Sequence, residues 1–209
     1  MHEQSTADAT LVSPAREATE FDLANTEQSD AVSFDTALAR NRAFAAAGGH
    51  EGVTVFPTLG LLVITCLDPR VDPAHILGLD LGDAMILRNG GGRVTPDVID
   101  NIAFVGQLVE KAVPEGPLFE VAVIHHTQCG ASALADDDFR RTYAKRIGAD
   151  ESTLREYAVL DPAATVASDV ERLRKAEAIS PRVTVSGHVY DVVNGLVETV
   201  VLAAASRSE

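Results

Sequence analysis

Residues 61–70 read Leu61-Leu62-Val63-Ile64-Thr65-Cys66-Leu67-Asp68-Pro69-Arg70, a short apolar run that leads directly into a cysteine and two charged residues. Continuous rather than alternating hydrophobicity is typical of a strand that is buried on both faces, as in a parallel sheet. The arrangement returns at residues 119–130 (FEVAVIHHTQCG), where an apolar run over 119–124 leads into His126 and Cys129. The two stretches therefore predict two buried strands, each followed by residues that can do chemistry.

Strands and helices are predicted to alternate along the rest of the chain. Further strands are expected over 83–87, 181–189 and 196–201, and helices over 33–47, 95–113 and 163–178. The last two strands are joined by Asn194-Gly195, a dipeptide typical of hairpin turns. In the helix over 95–113, Ile99, Ile102, Ala103 and Leu108 are expected to line much of one face, the buried one. This alternation predicts an α/β fold with a mostly parallel β-sheet flanked by helices, in a single domain.

The first 32 residues differ in composition from the rest of the chain. They are rich in Ser, Thr, Ala, Asp and Glu and show no apolar period, which is typical of a flexible tail. We therefore expect an N-terminal tail over residues 1–32 and a folded α/β domain, which carries the site described next, over residues 33–209.

The charge balance of the chain excludes some partners. It carries 17 Lys and Arg against 31 Asp and Glu, a formal net charge of -14. Because an acidic surface repels phosphate groups, neither nucleic acid nor an anionic membrane is an expected partner. No apolar run reaches the roughly 20 residues of a transmembrane helix, and the N-terminus lacks the basic-then-apolar pattern of a secretory signal. A cytoplasmic location is expected, where both cysteines stay reduced.

Three residues form a predicted metal site. Ligands of open parallel sheets bind beyond the carboxyl ends of the strands, so Cys66 and the pair His126 and Cys129 are expected to converge at one edge. Two thiolates and one imidazole suit Zn²⁺. Three protein ligands leave a fourth position, which in catalytic zinc sites holds a water molecule of lowered pKa. The sequence therefore predicts a zinc ion that activates water.

Asp68 and Arg70 are the predicted catalytic residues beside this site. Two thiolates cancel the formal charge of Zn²⁺, so the water needs a nearby hydrogen-bond acceptor, and Asp68 can supply it. Arg70 can pair with that carboxylate and keep it ionised. Because zinc also accepts oxygen ligands, Asp68 can alternatively be a fourth ligand in a closed state.

Other interpretations of these residues remain open at this point. The cysteines can be packing residues, or Asp68 can complete a closed structural zinc site. Gly90-Gly91-Gly92 can in principle cradle a phosphate, although close approach of the backbone to the zinc pocket is favoured because the phosphate-loop motifs are incomplete. His125 is expected on the other face of its strand from His126, as a packed or interface residue.

These motifs together resemble those of the β-class carbonic anhydrases. The resemblance covers roughly residues 35 to 202 and preserves the order and spacing of three motifs, Cys66-x-Asp68-x-Arg70, Arg88-Asn89-Gly90-Gly91-Gly92 and His126-x-x-Cys129-Gly130. The His125-His126 pair and residues 136–139 look most like a short actinobacterial-type subgroup, which is also similar to carbonyl sulfide hydrolases. Two positions depart from the family pattern, Pro69 within the first motif and Gly90 within the second.

The resemblance implies a zinc enzyme. By position, Cys66, His126 and Cys129 would be the zinc ligands, and Asp68 and Arg70 the catalytic dyad. The implied reaction is attack of zinc hydroxide on carbon dioxide, giving bicarbonate and a proton. The alternatives are hydrolysis of carbonyl sulfide or carbon disulfide at the same zinc, or a non-catalytic module that binds zinc or bicarbonate. The family further implies a homodimer or tetramer, with an N-terminal helix packed across the partner.

Overall fold

A five-stranded sheet forms the centre of the fold in a computed structural model, which describes residues 34–207. The strands are β1 (Leu61–Cys66), β2 (Ala84–Asn89), β3 (Glu120–His126), β4 (Thr184–Tyr190) and β5 (Val197–Ala205). They lie in the order β2-β1-β3-β4-β5; the first four are parallel and β5 is antiparallel to β4. This confirms the predicted α/β fold with a mostly parallel sheet.

Helices connect the parallel strands, as parallel pairing requires. The connecting helices are α2 (Pro73–Ile76), α3 (Pro96–Ala112), α4 (Asp137–Ile147), α5 (Glu151–Glu156) and α6 (Pro162–Lys175), and α1 (Asp35–Ala46) precedes the first strand. Short 3-10 turns cover Pro69–Val71, Gly90–Gly92 and Gly130–Ala135. The turn at Gly90–Gly92 follows β2 directly, and the other two follow β1 and β3 after two and three residues. The irregular backbone is therefore gathered beyond the carboxyl ends of the strands.

The main core lies between the sheet and helices α3 and α6. Its buried members include Leu62, Ile64, Val121, Val123 and Val185 from the strands, Ile102 and Val109 from α3, and Val166, Val170 and Leu173 from α6. Helix α6 comes especially close to β4 at Gly187, where a Cβ atom would lie 2.9 Å from a methyl group of Val170. This packing fixes the position of α6 against the middle of β4.

The register of α3 differs from the sequence prediction at one position. Ile102 is buried as expected, but Leu108 is 48% exposed, so its assignment to the buried face was wrong. Val98, Ile102, Gly106 and Val109 form the buried stripe instead. An α-helix turns by 3.6 residues, and Val109 rather than its neighbour Leu108 continues that stripe.

The ends of the described chain are the least packed part of the fold. Helix α1 has no buried residue, and β5 pairs with β4 through the hairpin at Asn194-Gly195, where Gly195 has a φ of +74°.

Across residues 34–207, no helix has both the length and the apolar character needed to span a bilayer. The expected tail over 1–32 lies outside the described residues, so its boundary with the domain stays a prediction.

Candidate metal centre

The three predicted ligands meet beyond the ends of two neighbouring strands. Cys66 is the last residue of β1, His126 is the last of β3, and Cys129 follows three residues later. Because β1 and β3 are parallel neighbours, their carboxyl ends lie side by side. The ligand atoms of the three residues all lie within 4.8 Å of one another, and all three residues are buried. The convergence expected from the sequence is therefore present.

The spacing of the two sulfurs fits a tetrahedral metal. Cys66 Sγ and Cys129 Sγ are 3.9 Å apart and both thiols are free. A disulfide would need about 2.05 Å, whereas two sulfurs at zinc–sulfur bonds of about 2.3 Å and a tetrahedral angle lie about 3.8 Å apart. The pair is thus placed as metal ligands are and not as a disulfide.

His126 presents one ring nitrogen to this cluster. Its Nδ1 lies 2.9 Å from the carbonyl oxygen of Thr127, to which it donates a hydrogen bond. Its Nε2 is buried and has no hydrogen-bond partner. A buried polar atom without a partner costs free energy, and a metal ligand is a common reason for one. A backbone carbonyl on the other ring nitrogen is also the usual way in which a ligating histidine is oriented.

The electrostatics of the two thiols favour one thiolate in the absence of a cation. The pKa of Cys66 is lowered to about 4, chiefly because the Cys129 thiol faces its sulfur, and burial opposes this effect. The nearby His126 ring and the backbone N–H of Asp68 lower it further. The pKa of Cys129 is raised because it faces the Cys66 sulfur and is buried. A divalent cation is what would allow both to be thiolates, since it offsets their mutual repulsion.

Asp68 and Arg70 form a bidentate ion pair beside the cluster. Arg70 Nη2 lies 2.7 Å from Asp68 Oδ2, and Arg70 Nε lies 3.0 Å from Oδ1. The backbone N–H of Arg70 donates to the same carboxylate at 2.9 Å. The hydrogen bond from the Arg70 side chain is the main reason that the pKa of Asp68 is lowered. Pro69 between them lacks an N–H donor, but the dyad does not use one at that position.

A second arginine fixes the backbone that carries Cys66 and Asp68. Arg88, near the end of β2, donates to the carbonyl oxygen of Cys66 at 2.9 Å and to that of Asp68 at 2.8 Å. Its third contact is the carboxylate of Asp72, at 2.9 Å. From the sequence alone, Arg88 belongs to the Arg88–Gly92 motif and has no predicted role. A charged residue at the end of an otherwise apolar strand was the available signal.

Gln128 is strained in a way that the sequence does not reveal. It has a φ of +54°, the one positive φ on a non-glycine residue among residues 34–207. Such a conformation is unfavourable for most side chains. It turns the Gln128 carbonyl oxygen towards Arg70 Nη2, which donates to it at 3.1 Å. Arg70 therefore holds both Asp68 after β1 and the ligand-bearing loop after β3.

The glycine turn after β2, Gly90–Gly92, packs against the end of β1 that carries Cys66. Gly91 and Gly92 have φ values of +83° and +67°. A Cβ atom at Gly92 would lie 2.9 Å from the carbonyl carbon of Thr65 and 3.0 Å from the amide nitrogen of Cys66. The backbone of the turn therefore lies very close to the backbone of Thr65 and Cys66, as expected from the sequence for this segment.

Comparison with known proteins gives one consistent family. The family model described as carbonic anhydrase matches residues 61–207. Beta-carbonic anhydrase 1 of Mycobacterium tuberculosis (strain ATCC 25618 / H37Rv) is 29% identical over 162 residues, which are 77% of this chain and 93% of that protein. The carbon disulfide hydrolase of Acidithiobacillus thiooxidans is 30% identical over 156 residues, covering 65% of this chain and 74% of the relative.

A solved structure agrees with this assignment. The carbonic anhydrase from Streptococcus mutans superimposes with a TM-score of 0.68 at 32% identity, covering 81% of this chain and 99% of that one. The family model covers most of the chain, including both cysteines, His126, the ion pair and the whole sheet. The chain therefore belongs to the β-carbonic anhydrase family.

Proposed function

We propose that this protein catalyses the reversible hydration of carbon dioxide to bicarbonate, with zinc as its cofactor. The observation that carries the proposal is the buried group of Cys66, His126 and Cys129, whose unpartnered Nε2 and paired sulfurs suit zinc, beside an Asp68–Arg70 ion pair. The family assignment supports the same reaction.

Each residue of the site has a distinct task in this proposal. The two sulfurs and His126 Nε2 would hold the metal. Zinc, when bound, acts as a Lewis acid that lowers the pKa of water towards neutrality. Asp68 accepts a hydrogen bond from the reacting water and orients it towards carbon dioxide. Arg70 keeps that carboxylate ionised and engages both of its oxygens, which opposes its use as a fourth metal ligand. Addition of the water oxygen to carbon dioxide leaves bicarbonate and one proton.

A second substrate class is supported by one comparison. The relative from Acidithiobacillus thiooxidans is a carbon disulfide hydrolase. Carbon disulfide and carbonyl sulfide are linear molecules like carbon dioxide, so the same water and the same Asp68 would serve all three. Carbon dioxide remains the proposed substrate, and hydrolysis of the sulfur compounds is the alternative.

The proposal extends to a homodimer. Helix α1 exposes Leu38 and Phe44 and has no buried residue, and Phe34, which precedes it, is also exposed. A 12-residue helix is marginal by itself in water, so these side chains are well suited to cover a second copy of the chain. Light scattering should give a dimer for the full-length protein and a monomer after Leu38→Asp with Phe44→Asp. Leu160→Asp, at an exposed apolar residue outside α1, is the matched control and should remain dimeric. A dimer in all three samples would exclude α1 as the contact, and a tetramer would require a second interface.

We also propose a reducing compartment such as the cytoplasm. The two ligand sulfurs are 3.9 Å apart, which is close enough for oxidation to join them after small rotations. Such a disulfide would remove both thiolate ligands at once. A site of this kind is stable where thiols are kept reduced.

The test combines zinc content and stopped-flow hydration of carbon dioxide on the same full-length sample. The expected result is one zinc per chain with rapid hydration. His126→Ala should lose both zinc and activity, whereas His75→Ala, whose side chain is 87% exposed, should keep both. Zinc without hydration, but with sulfide release from carbonyl sulfide or carbon disulfide, would select the alternative substrates. Folded protein that binds no zinc would refute the proposal.

A further inference from the structure

A second group of ionisable side chains is buried next to the metal centre. Arg93, His125 and Asp169 are exposed by 2%, 0% and 0% of their surface. None of them is a candidate ligand. Burying charges is costly unless they are paired, and even a well-paired buried network is weak evidence for a role in stability alone. Stability alone therefore does not explain why this group is buried next to the metal centre.

Asp169 of α6 is the centre of this network. Its Oδ2 accepts hydrogen bonds from Arg93 Nε at 2.7 Å and from the backbone N–H of Val94 at 3.1 Å, and its Oδ1 accepts from Arg93 Nη2 at 3.0 Å. His125 Nε2 lies 3.3 Å from the same Oδ2 and 3.2 Å from the carbonyl oxygen of Gly92. Both of these atoms are acceptors, so Nε2 carries its hydrogen. One carboxylate thus ties α6 to the segment after β2 and to β3.

The far side of the imidazole is held by the same helix. His125 Nδ1 lies 2.8 Å from the hydroxyl oxygen of Thr165, which in turn donates to the carbonyl oxygen of Asp161 at 2.9 Å. With hydrogen bonds at both ring nitrogens, His125 is fixed in position and in rotation.

The network reaches both segments that carry the predicted ligands. Gly92, whose carbonyl oxygen lies 3.2 Å from His125 Nε2, belongs to the glycine turn that follows β2. Gly92 also lies against the backbone of Cys66 itself. On the other side, His125 immediately precedes His126 in β3. A displacement of Asp169 would therefore shift two of the three ligands, Cys66 through Gly92 and His126 through His125.

We propose that Asp169 is a positioning residue for the zinc centre. It anchors the glycine turn and His125 to α6, so that Gly92 stays against the backbone of Cys66 and His126 keeps its Nε2 aimed into the cluster. Residues that orient ligands from outside a metal site commonly change metal affinity by about 10- to 100-fold when they are replaced. The inference rests on the proposed function, because it assumes that the cluster binds zinc.

The decisive variant is Asp169→Asn. An amide has one acceptor oxygen where the carboxylate has two, so its NH₂ group must face a donor of Arg93 or Val94. Zinc affinity of the full-length protein, measured by competition with a chelator, should fall by about 10-fold or more. The thiolate-to-metal absorption of the cobalt-substituted protein should change in position or intensity, because it reports on the geometry of the sulfur ligands.

Two further variants separate positioning from stability. Val170→Ala alters the next residue of α6, which is 1% exposed and packs in the core without touching the glycine turn. It should lower stability and leave zinc affinity within about twofold, as expected for an independent site. Thr165→Val removes the hydroxyl that holds Nδ1. It is the milder test should Asp169→Asn not fold, and it should weaken zinc binding several-fold.

The outcomes are distinguishable. Unchanged zinc affinity and cobalt absorption in the folded network variants would overturn the inference, and so would an equal loss of affinity in Val170→Ala. Wild-type protein that binds no zinc would overturn the proposed function as well. Zinc binding that weakens in Asp169→Asn and Thr165→Val, and stays intact in Val170→Ala, would support it.

Discussion

Gly92 offers the sharpest test of how the glycine turn supports the site. An alanine Cβ there would lie 2.9 to 3.1 Å from backbone atoms of Thr65 and Cys66, in a residue whose φ is +67°. Gly148, which ends α4, has nearly the same φ of +69°, but a Cβ at Gly148 meets nothing within 4 Å. The pair Gly92→Ala and Gly148→Ala therefore separates the effect of close approach from that of backbone conformation.

The magnitudes follow from these two effects. A left-handed conformation costs an alanine about 1–2 kcal/mol, and this applies to both variants. Overpacking against backbone that cannot move away adds about 1–3 kcal/mol at Gly92. The free energy of unfolding should thus fall by about 1–2 kcal/mol in Gly148→Ala and by about 2–5 kcal/mol in Gly92→Ala. Because the clash falls on Cys66, zinc affinity should fall in Gly92→Ala alone.

The assay is urea unfolding of both variants in the presence of a chelator, so that bound metal does not contribute to stability. Zinc competition and carbon dioxide hydration are then measured on the same preparations. Equal losses of unfolding free energy in the two variants would refute the close-approach argument. Normal zinc affinity in a destabilised Gly92→Ala would show that the turn supports the fold and not the metal centre.

Three other predictions address the site and its surroundings. Asp68→Asn should keep its zinc but lose hydration activity by about 100-fold or more, because a neutral amide has one acceptor oxygen and cannot both pair with Arg70 and accept strongly from the reacting water; retained activity would remove Asp68 from the mechanism. The pKa of Asp169 is raised by burial, but hydrogen bonds from its basic neighbours outweigh this and lower it from 3.8 to about 2. Its stabilisation is therefore complete above pH 4 and is lost as the pH falls through about 2, an effect of about 2 kcal/mol that acid-dependent urea unfolding should show in wild type and not in Asp169→Asn. Metal-free protein treated with an oxidant should lose two titratable thiols, as Cys66 joins Cys129, while zinc-loaded protein keeps them; two free thiols in both samples would contradict this.

Much of the fold was predictable because its signals are local. The apolar runs of β1 and β3 are continuous in sequence, and parallel strands bring their ends to one edge. The ligands stand directly after those runs, so their convergence needed no knowledge of distant contacts. His125 was expected on the face opposite His126, and it is packed in the interior.

The remaining features depend on contacts between distant residues. Arg93 and Asp169 are 76 positions apart in the chain and meet because α6 packs across the sheet. Their residue types are ordinary for a turn and a helix surface, so no local pattern marks either one as buried. The positive φ of Gln128 also depends on a distant contact. It lets the Gln128 carbonyl oxygen accept a hydrogen bond from Arg70, 58 positions earlier in the chain.

The contacts around the cluster indicate that the ligand set is preorganised. Arg70 joins the segment after β1 to the loop after β3 through Asp68 and the Gln128 carbonyl. Asp169 joins the turn after β2 to β3 from the helical side of the sheet. The ligand-bearing segments are thus linked by the protein's own hydrogen bonds, and the sulfurs already stand at the spacing that a tetrahedral metal needs. The set offers three protein ligands, and Arg70 engages the carboxylate of Asp68 that could be a fourth. One position of a tetrahedral zinc would therefore remain for water, which is what the proposed reaction requires.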